Sequence, residues 1–410
     1  MVAGHQRTRL EAAMVEAVAR HGYAGTTLRE LVRLAGVSKS TFYEHFESKQ
    51  DAFLETSADI VAQMSDRARA AYASGTGPRE RFLAALSCFM ELVAGEPQAA
   101  NLTTVETLTL GRAGIEHRDR GSEIFEETAR RSFEESGSEI EVPGRTLHAI
   151  AAGIRGVVYR HLRAGTAAQL PGLAAELADW ALGYQVPRDE AVESAAATAA
   201  KPSPDPPPGP EIEWSEPPDS QRSRAELSQR ERIVRAVGQL VVEDGYETLT
   251  IPAISARAGT SNQTFYEHFD NKREAFLASF DGSAAEALSA TSRAFESAEG
   301  PAAIGAALRG MLEYIAGNEL FARLAFFDLQ TAGPVALDRA DSAMASFAAF
   351  LGPGVAPREL RAVASPNTLE AIASGTWAVI QHELDHGKYE SLPELAPELV
   401  EIVLTPLTAR

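Results

Sequence analysis

The chain has 410 residues, of which 45% are hydrophobic and 23% are charged, and its formal net charge is −19. These values are typical of an ordinary soluble protein with room for two to four domains. The single cysteine excludes an internal disulfide, and no apolar run is long enough to span a bilayer, so we expect a cytoplasmic protein without a membrane partner.

The negative charge lies outside two segments of the chain. Residues 1–53 carry seven Lys/Arg and six Asp/Glu, and residues 222–276 carry eight of each. Salt screens electrostatic fields beyond about 10 Å, so the local charge decides whether a segment can approach a polyanion. The acidic total therefore does not exclude a nucleic-acid partner, although near-neutral segments give little support by charge alone.

The first of these segments is typical of short helices joined by tight turns. Hydrophobic residues recur at helical spacing up to Gly22, which ends the first helix. Thr27 begins the next helix as its N-cap, and we expect Glu30 to reach back and complete a capping box. Gly36 then forms a turn, and Ser38 caps a third helix. Two capped helices around a glycine turn are the pattern of a helix-turn-helix.

The same pattern occurs again 223 residues later. Residues 38–53 and 261–276 share the run Thr-Phe-Tyr-Glu-His-Phe, and Thr250, Gly259 and Ser261 repeat the cap, the turn and the second cap. Each copy is followed by amphipathic helical pattern in which glycine and proline breaks come at matching positions. The sequence therefore predicts an all-α protein in which a pair of domains is duplicated.

Between the halves lies a stretch rich in proline, alanine and serine that includes the run 206–208. Such a composition cannot form a core, so we expect a disordered or polyproline linker. The predicted domains are a first helix-turn-helix domain (1–53), a first helical domain (54–186), the linker (187–221), a second helix-turn-helix domain (222–276) and a second helical domain (277–410).

Residues 38–46, together with Thr27 and Lys49, resemble the N-terminal domain of the TetR family of transcriptional regulators, and the second copy matches the same motif. The resemblance implies that three N-terminal helices bind double-stranded DNA and that the later helices form a ligand-binding and dimerisation domain. Most members are repressors that a small ligand releases. Two copies in one chain then suggest an intramolecular pseudo-dimer, with residues 145–184 packed against residues 366–405 and the linker raising their effective concentration. Further dimerisation between chains stays open.

Candidate DNA contacts carry over from the resemblance in two groups. Base readers are expected at the start of each third helix: Ser38, Lys39, Ser40 and Thr41, and Ser261, Asn262, Gln263 and Thr264. Lysine suits guanine, whereas asparagine and glutamine suit adenine, so we predict an operator with unlike half-sites. Backbone contacts are expected from Tyr43, His45, Lys49, Tyr266, His268 and Lys272, and from the helix N-termini at Thr27 and Thr250.

Several of these residues have a plain structural alternative. The threonines are helix caps first, the tyrosines can be ordinary surface residues, and His45 and His268 can pack against the protein. Phe42, Phe46, Phe265 and Phe269 recur at i, i+4, and we expect them in the core.

One further motif points to different chemistry. His382, Glu383 and His386 match the zinc-protease pattern H-E-x-x-H. No third ligand is evident, and the stretch aligns with the polar end of a helix in the first half, so we expect no metal, no cofactor and no enzyme.

The leading interpretation is a DNA-binding regulator, a repressor released by a small apolar ligand. The alternative is a helical ligand-binding or interaction protein in which one helix-turn-helix no longer binds DNA.

Overall fold

The computed structural model describes residues 2–203, 228–350 and 364–408, which form helices and turns and contain no strand. The prediction of an all-α fold is confirmed. None of the helices in these ranges combines the length and the hydropathy that a membrane span requires. The chain divides into two compact units, residues 1–187 with 364–378 (unit 1) and residues 188–363 with 379–410 (unit 2).

Unit 1 contains nine helices of the first half of the chain and two short 3₁₀ helices, Glu106–Leu110 and Ala167–Leu173. The α-helices are α1 Val2–Gly25, α2 Leu28–Ala35, α3 Lys39–His45, α4 Lys49–Ser74, α5 Pro78–Gly95, α6 Pro97–Thr104, α7 Arg112–Glu135, α8 Gly144–Arg163 and α9 Ala174–Leu182.

Local sequence rules set the bounds of the first helices. The Thr27 hydroxyl accepts from the backbone N–H of Glu30 at 3.3 Å, and the Ser38 hydroxyl accepts from that of Thr41 at 3.0 Å. Gly36 ends α2 with φ of 60°, the left-handed conformation that favours glycine. The Glu30 carboxylate contacts Nε2 of His21 at 3.1 Å, so the predicted capping box at Thr27 is only half formed.

The core of this first part, head 1 (residues 2–53), is aromatic and aliphatic. Met14 of α1, Leu31 of α2, Phe42 of α3 and Phe53 of α4 are all buried in one cluster. Burying a large apolar side chain is worth about 1.5–3 kcal/mol, so this cluster fixes α3 against α1. The expected core role of Phe42 is confirmed at 1% exposure.

Residues 364–378, which belong to unit 1, pack against α8. The helix that contains most of them, Pro366–Asp385, approaches α8 closely, since a Cβ at Gly153 would lie 2.5 Å from the Ala371 carbonyl oxygen. The Arg160 guanidinium donates to Oδ1 of Asn367 at 2.6 Å. Small residues thus set this helix crossing.

Unit 2 contains the remaining helices. They are α10 Glu190–Ala199, α11 Gln229–Asp244, α12 Ile251–Ala258, α13 Asn262–His268, α14 Lys272–Glu296, α15 Pro301–Gly317, α16 Glu319–Arg323, α17 Pro334–Phe350, α18 Pro366–Asp385 (shared with unit 1) and α19 Ala396–Thr408. A π-helical turn, Leu324–Asp328, and the 3₁₀ turns Leu329–Thr331 and Leu392–Leu395 complete the described elements. Residues 228–276 repeat head 1 and are called head 2.

The expectation of an unstructured linker over 187–221 is wrong for its first part. Helix α10 begins at an Asp189 N-cap and buries Val192, Ala195 and Ala199 against α15 and α19. A Cβ at Gly305 of α15 would collide with the Ala195 backbone, so α15 offers a glycine where α10 crosses. Residues 204–221 of the predicted linker lie outside the described residues.

The predicted boundaries at 53/54 and 276/277 fall inside helices. Helix α4 runs unbroken from Lys49 to Ser74, and α14 runs from Lys272 to Glu296. Neither helix contains a proline that would interrupt its hydrogen bonds. Each head is therefore joined to its helical domain by a continuous helix.

Candidate nucleic-acid interface

The first turns of α3 and α13 are exposed. The side chains of Ser38, Lys39 and Ser40 lie at the surface, as do those of the base readers predicted in head 2, Ser261, Asn262 and Gln263. Thr41 and Thr264 are half-buried, and each hydroxyl lies 3.0 Å from the serine hydroxyl that caps its helix. In each head the helix start presents three accessible side chains, and the fourth predicted reader is engaged with the cap.

Tyr43 and Tyr266 stand out because both rings are 58% exposed. The Tyr43 ring lies edge-on to Phe42 with the centroids 5.4 Å apart, and Tyr266 meets Phe265 in the same way at 5.6 Å. A large aromatic ring held rigidly at the surface is a candidate contact point, since its hydroxyl can donate to a phosphate oxygen.

The two heads differ in charge next to these residues. Arg29, Arg33 and Lys39 of head 1 are exposed, and none of them pairs with a described carboxylate. The matching residues of head 2 are Pro252, Ala256 and Asn262.

In head 2 the arginine of α12 is already neutralised. The Arg257 guanidinium donates to both carboxylate oxygens of Glu243 at 2.6 Å, and these bonds lower the pKa of Glu243. Head 1 is thus the more cationic of the two, and head 2 offers mainly amide groups.

The ammonium groups of Lys49 and Lys272, which were predicted to contact phosphates, bind backbone carbonyls of the protein. The Lys49 ammonium donates to the carbonyls of Tyr23 and Thr26 at 2.9 and 3.0 Å and lies 4.1 Å from the centre of the Tyr23 ring. Burial lowers its pKa. Lys272 donates to the Leu249 carbonyl at 2.9 Å in the same way. These ammonium groups hold the turn before the second helix, so this geometry does not favour a phosphate contact.

The two histidines are half-buried and not equivalent. Nε2 of His45 is buried and has no hydrogen-bond partner among the described residues, whereas Nε2 of His268 lies 3.4 Å from the amide oxygen of Gln229. Thr27 and Thr250 are exposed N-caps, so the N-termini of α2 and α12 are accessible.

A carboxylate links each head to its helical domain, which the sequence analysis missed. The backbone N–H of Tyr23, directly after the kink at Gly22, donates to Glu106 at 2.8 Å. In unit 2 the N–H of Tyr246 donates to Asp328 at 2.9 Å. We call these two contacts the latches. They join residues 83 and 82 positions apart, so no local pattern could indicate them.

A pocket lies in the helical domain of unit 1 between α4, α5, α6, α7 and α8, and it encloses about 700 Å³ of space, including its opening to solvent. Phe89 and Phe125 form part of its wall with their rings 4.8 Å apart. Thr104 at the end of α6 also lines it, two residues before the latch glutamate. The pocket thus adjoins the segment that holds head 1.

The H-E-x-x-H stretch has ordinary structural contacts. Nδ1 of His386 lies 2.7 Å from the His382 carbonyl, and the buried Glu383 carboxylate pairs with Lys388 at 2.9 Å. The described residues include no group of three or more His, Cys, Asp or Glu that could hold a metal ion.

Comparison with known proteins identifies the same two regions of the chain, head 1 and head 2. A family model described as "Bacterial regulatory proteins, tetR family" matches residues 10–56 and 233–278. The fatty acid metabolism regulator protein of Bacillus subtilis is 26% identical over 113 residues, which cover 28% of this chain and 57% of that protein. The HTH-type transcriptional regulator BetI of Agrobacterium fabrum is 33% identical over 79 residues, 19% of this chain and 38% of that protein. The chain thus spans about half or less of these relatives.

Two solved structures are also similar to one half of the chain. The transcriptional regulator FadR from Bacillus subtilis, in complex with stearoyl-CoA, is 17% identical with a TM-score of 0.40, and the match covers 43% of this chain and 97% of that one. The fatty acid degradation regulator FadR from Bacillus halodurans is 20% identical with a TM-score of 0.40, covering 43% and 95%.

Proposed function

We propose that this chain, which belongs to the TetR family of bacterial regulatory proteins and carries that family's N-terminal domain twice, represses transcription by binding double-stranded DNA through both heads. The observation that carries the proposal is the matching exposure of Tyr43 and Tyr266 beside two accessible helix starts. Such a chain would act in the cytoplasm.

The two heads differ enough to favour unlike half-sites. Lys39 of head 1 suits guanine O6 and N7, whereas Asn262 and Gln263 of head 2 suit adenine N6 and N7. The free cations of head 1, Arg29 and Arg33, add phosphate affinity that head 2 lacks. Head 1 therefore anchors the complex, and head 2 adds sequence selectivity. Lys49 and Lys272 are left out of the proposed contacts because their ammonium groups hold the turns.

Pairing of the two halves within one chain is supported by the packing of unit 1. Residues 364–378 come from the second half of the sequence, yet they pack on α8 of the first half. The two helices approach closely at Gly153, and the Arg160 guanidinium adds contacts to the side chains of Asn367 and Glu370. This is the pairing that an intramolecular pseudo-dimer requires.

Release by a ligand is supported by the pocket of unit 1. A ligand between α6 and α7 would bear on Thr104, and the Glu106 latch follows two residues later. Moving that latch would change how head 1 is held. A ligand shifts DNA affinity only by as much as it favours one arrangement over another. The relative from Bacillus subtilis is named for fatty acid metabolism, so apolar acyl compounds are the first class to test.

A footprint on genomic fragments selected by the purified chain tests the proposal. We expect two protected half-sites of unlike sequence, about one helical turn apart. Replacing Asn262 and Gln263 by lysine and serine, the residues of head 1, should change the preferred bases in one half-site and leave the other intact. A perfect inverted repeat, or a preference that the replacement does not alter, contradicts the assignment.

A second candidate function is favoured by the charge of head 2. With Arg257 paired to Glu243 and no free cation at positions 252, 256 and 262, head 2 is the head that could have lost DNA contact. The chain would then bind DNA through head 1 alone. Replacing Tyr266 separates the two candidates, because it weakens DNA binding only if head 2 takes part.

A further inference from the structure

We propose that the pocket of unit 1 binds an acidic amphiphile, a molecule with an apolar body and one anionic head, and that the second repeat has no counterpart of this head-binding site. The chain would then take up one such ligand and not two. The inference rests on the proposed function for its regulatory consequence, while the binding itself is independent of DNA.

Most of the pocket suits an apolar body. Val61, Met64, Phe89, Phe125 and Ile154 lie in its wall and come from four different helices. Apolar burial is worth about 25 cal/mol per Å², so a hydrocarbon chain in this space would supply most of the affinity. Such a wall alone does not favour one apolar compound over another.

The polar end of the pocket adds a cation, Arg155, whose neighbouring carboxylates, Asp119 and Glu126, already contact Arg118 and His148 at 2.9 and 2.8 Å. Arg155 of α8 lies in the wall, its guanidinium donates to the Ser122 hydroxyl, and no described carboxylate pairs with it. Arg118 beside it is already paired with Asp119 at 2.9 Å. A carboxylate or another anion on a ligand could accept from Arg155 in a partly desolvated setting, where charge-assisted hydrogen bonds are strong.

Two further observations agree with this placement. Burial and the neighbouring Arg118 lower the pKa of Arg155 to about 10 although the Asp119 and Glu126 carboxylates raise it, so the guanidinium is still charged at neutral pH and a further anion would stabilise it. The Ser65 hydroxyl in the same wall is buried and has no hydrogen-bond partner among the described residues. Such a buried donor could bond to a polar atom of a bound ligand.

The second repeat provides a comparison within the same chain. Helix α4 aligns with α14 at the offset of 223 residues, and the glycine that precedes α7, Gly111, aligns with Gly333 before α17 at 222. At four aligned positions the polar groups of the pocket are replaced by apolar ones: Ser57 by Phe280, Arg118 by Ala340, Ser122 by Met344 and Arg155 by Trp377. A fifth, His117, is replaced by Arg339, whose guanidinium is paired with Asp281 at 3.4 Å. An anionic head would find no unpaired cation at these positions, so the acid-binding site is confined to the first repeat.

Titration of the purified full chain, without DNA, tests the inference with decanoate and its uncharged analogue 1-decanol. Calorimetry and native mass spectrometry should give one decanoate per chain, and 1-decanol should bind about tenfold more weakly or worse, because it cannot accept a charged hydrogen bond as an anion does. Arg155→Met should weaken decanoate binding by a similar factor and leave 1-decanol unchanged.

Arg120→Met is the matched control, since Arg120 lies on the same helix as Arg118 but is exposed and outside the pocket. It should bind decanoate as the wild type does. Equal affinity for the two compounds, two equivalent decanoates per chain, or no decanoate binding at millimolar concentration overturns the inference on the wild-type protein alone, even if Arg155→Met fails to fold. Loss of DNA binding with decanoate binding intact would reject the proposed function and leave this inference standing.

Discussion

Replacing Glu106 by alanine should loosen head 1 without unfolding it. The Glu106 carboxylate accepts from the Tyr23 N–H at 2.8 Å in a half-buried position. A hydrogen bond to a charged group contributes about 1.5–3 kcal/mol, and water reaching the freed N–H should reduce the loss to about 1–2 kcal/mol. That loss corresponds to about a 5- to 30-fold change in the local opening equilibrium.

Hydrogen exchange at the Tyr23 amide measures this opening directly. We expect exchange to become faster by that factor in Glu106→Ala and to stay unchanged at Tyr246, the matching amide of unit 2. The reciprocal variant, Asp328→Ala, should affect Tyr246 and spare Tyr23, because each carboxylate serves its own head. Unchanged exchange at Tyr23 in Glu106→Ala would refute the latch, and equal acceleration at both amides would show a global loss of stability instead.

Tyr43→Phe and Tyr266→Phe should each weaken DNA binding about fivefold while the melting temperature stays constant, because each removes one hydroxyl from an exposed ring; unchanged affinity would exclude a phosphate contact. Arg33→Ala should lower the slope of log K against log salt concentration by about one, whereas Arg257→Ala, whose arginine is already paired, should lower it less. The pKa of Asp328 is raised, chiefly by burial, so its contribution to the stability of unit 2 is full below the ordinary value of 3.8 and is lost as pH rises through the raised pKa. Asp328→Asn keeps an acceptor for Tyr246 without the charge, so its melting temperature should gain on that of the wild type as pH rises from the ordinary value of 3.8 through the raised pKa of Asp328.

The heads could be predicted from sequence because short-range rules determine them. Thr27, Gly36 and Ser38 act within three or four residues, and each occupies the cap or turn that its residue type predicts. Phe42 and Phe46 are buried as their spacing indicates. The two family matches cover the same residues and confirm that this N-terminal domain is duplicated.

The composition around α10 favours a linker, but the structure has a helix there. Proline and alanine content indicated a linker, but Asp189 is an N-cap and Val192, Ala195 and Ala199 lie on one helical face. The helix is stable because α15 and α19 cover that face, and a rule based on average composition does not include a partner.

Lys49 and Lys272 show a second limit of sequence reasoning. A lysine at a helix start has two possible partners of the same chemical type, a phosphate oxygen and a backbone carbonyl, and the sequence cannot rank them. The structure can, because the carbonyls of Tyr23 and Thr26 in the preceding turn lie within 3.0 Å of the Lys49 ammonium. The Tyr23 carbonyl also accepts from the Thr26 N–H, so moving the ammonium to DNA would cost chiefly the Thr26 carbonyl its partner.

The pocket shows why duplication is informative beyond the heads. Trp180 is buried in the core outside the pocket, whereas Phe89 and Phe125 form part of the pocket wall. Aromatic content therefore does not locate the pocket, because most large rings fill the core. The polar residues do locate it. Burying the charge of Arg155 in a packed helix costs free energy, whereas Trp377 at the aligned position carries no charge and has no such cost. A costly charge at one of two aligned positions points to a function that the other copy does not share.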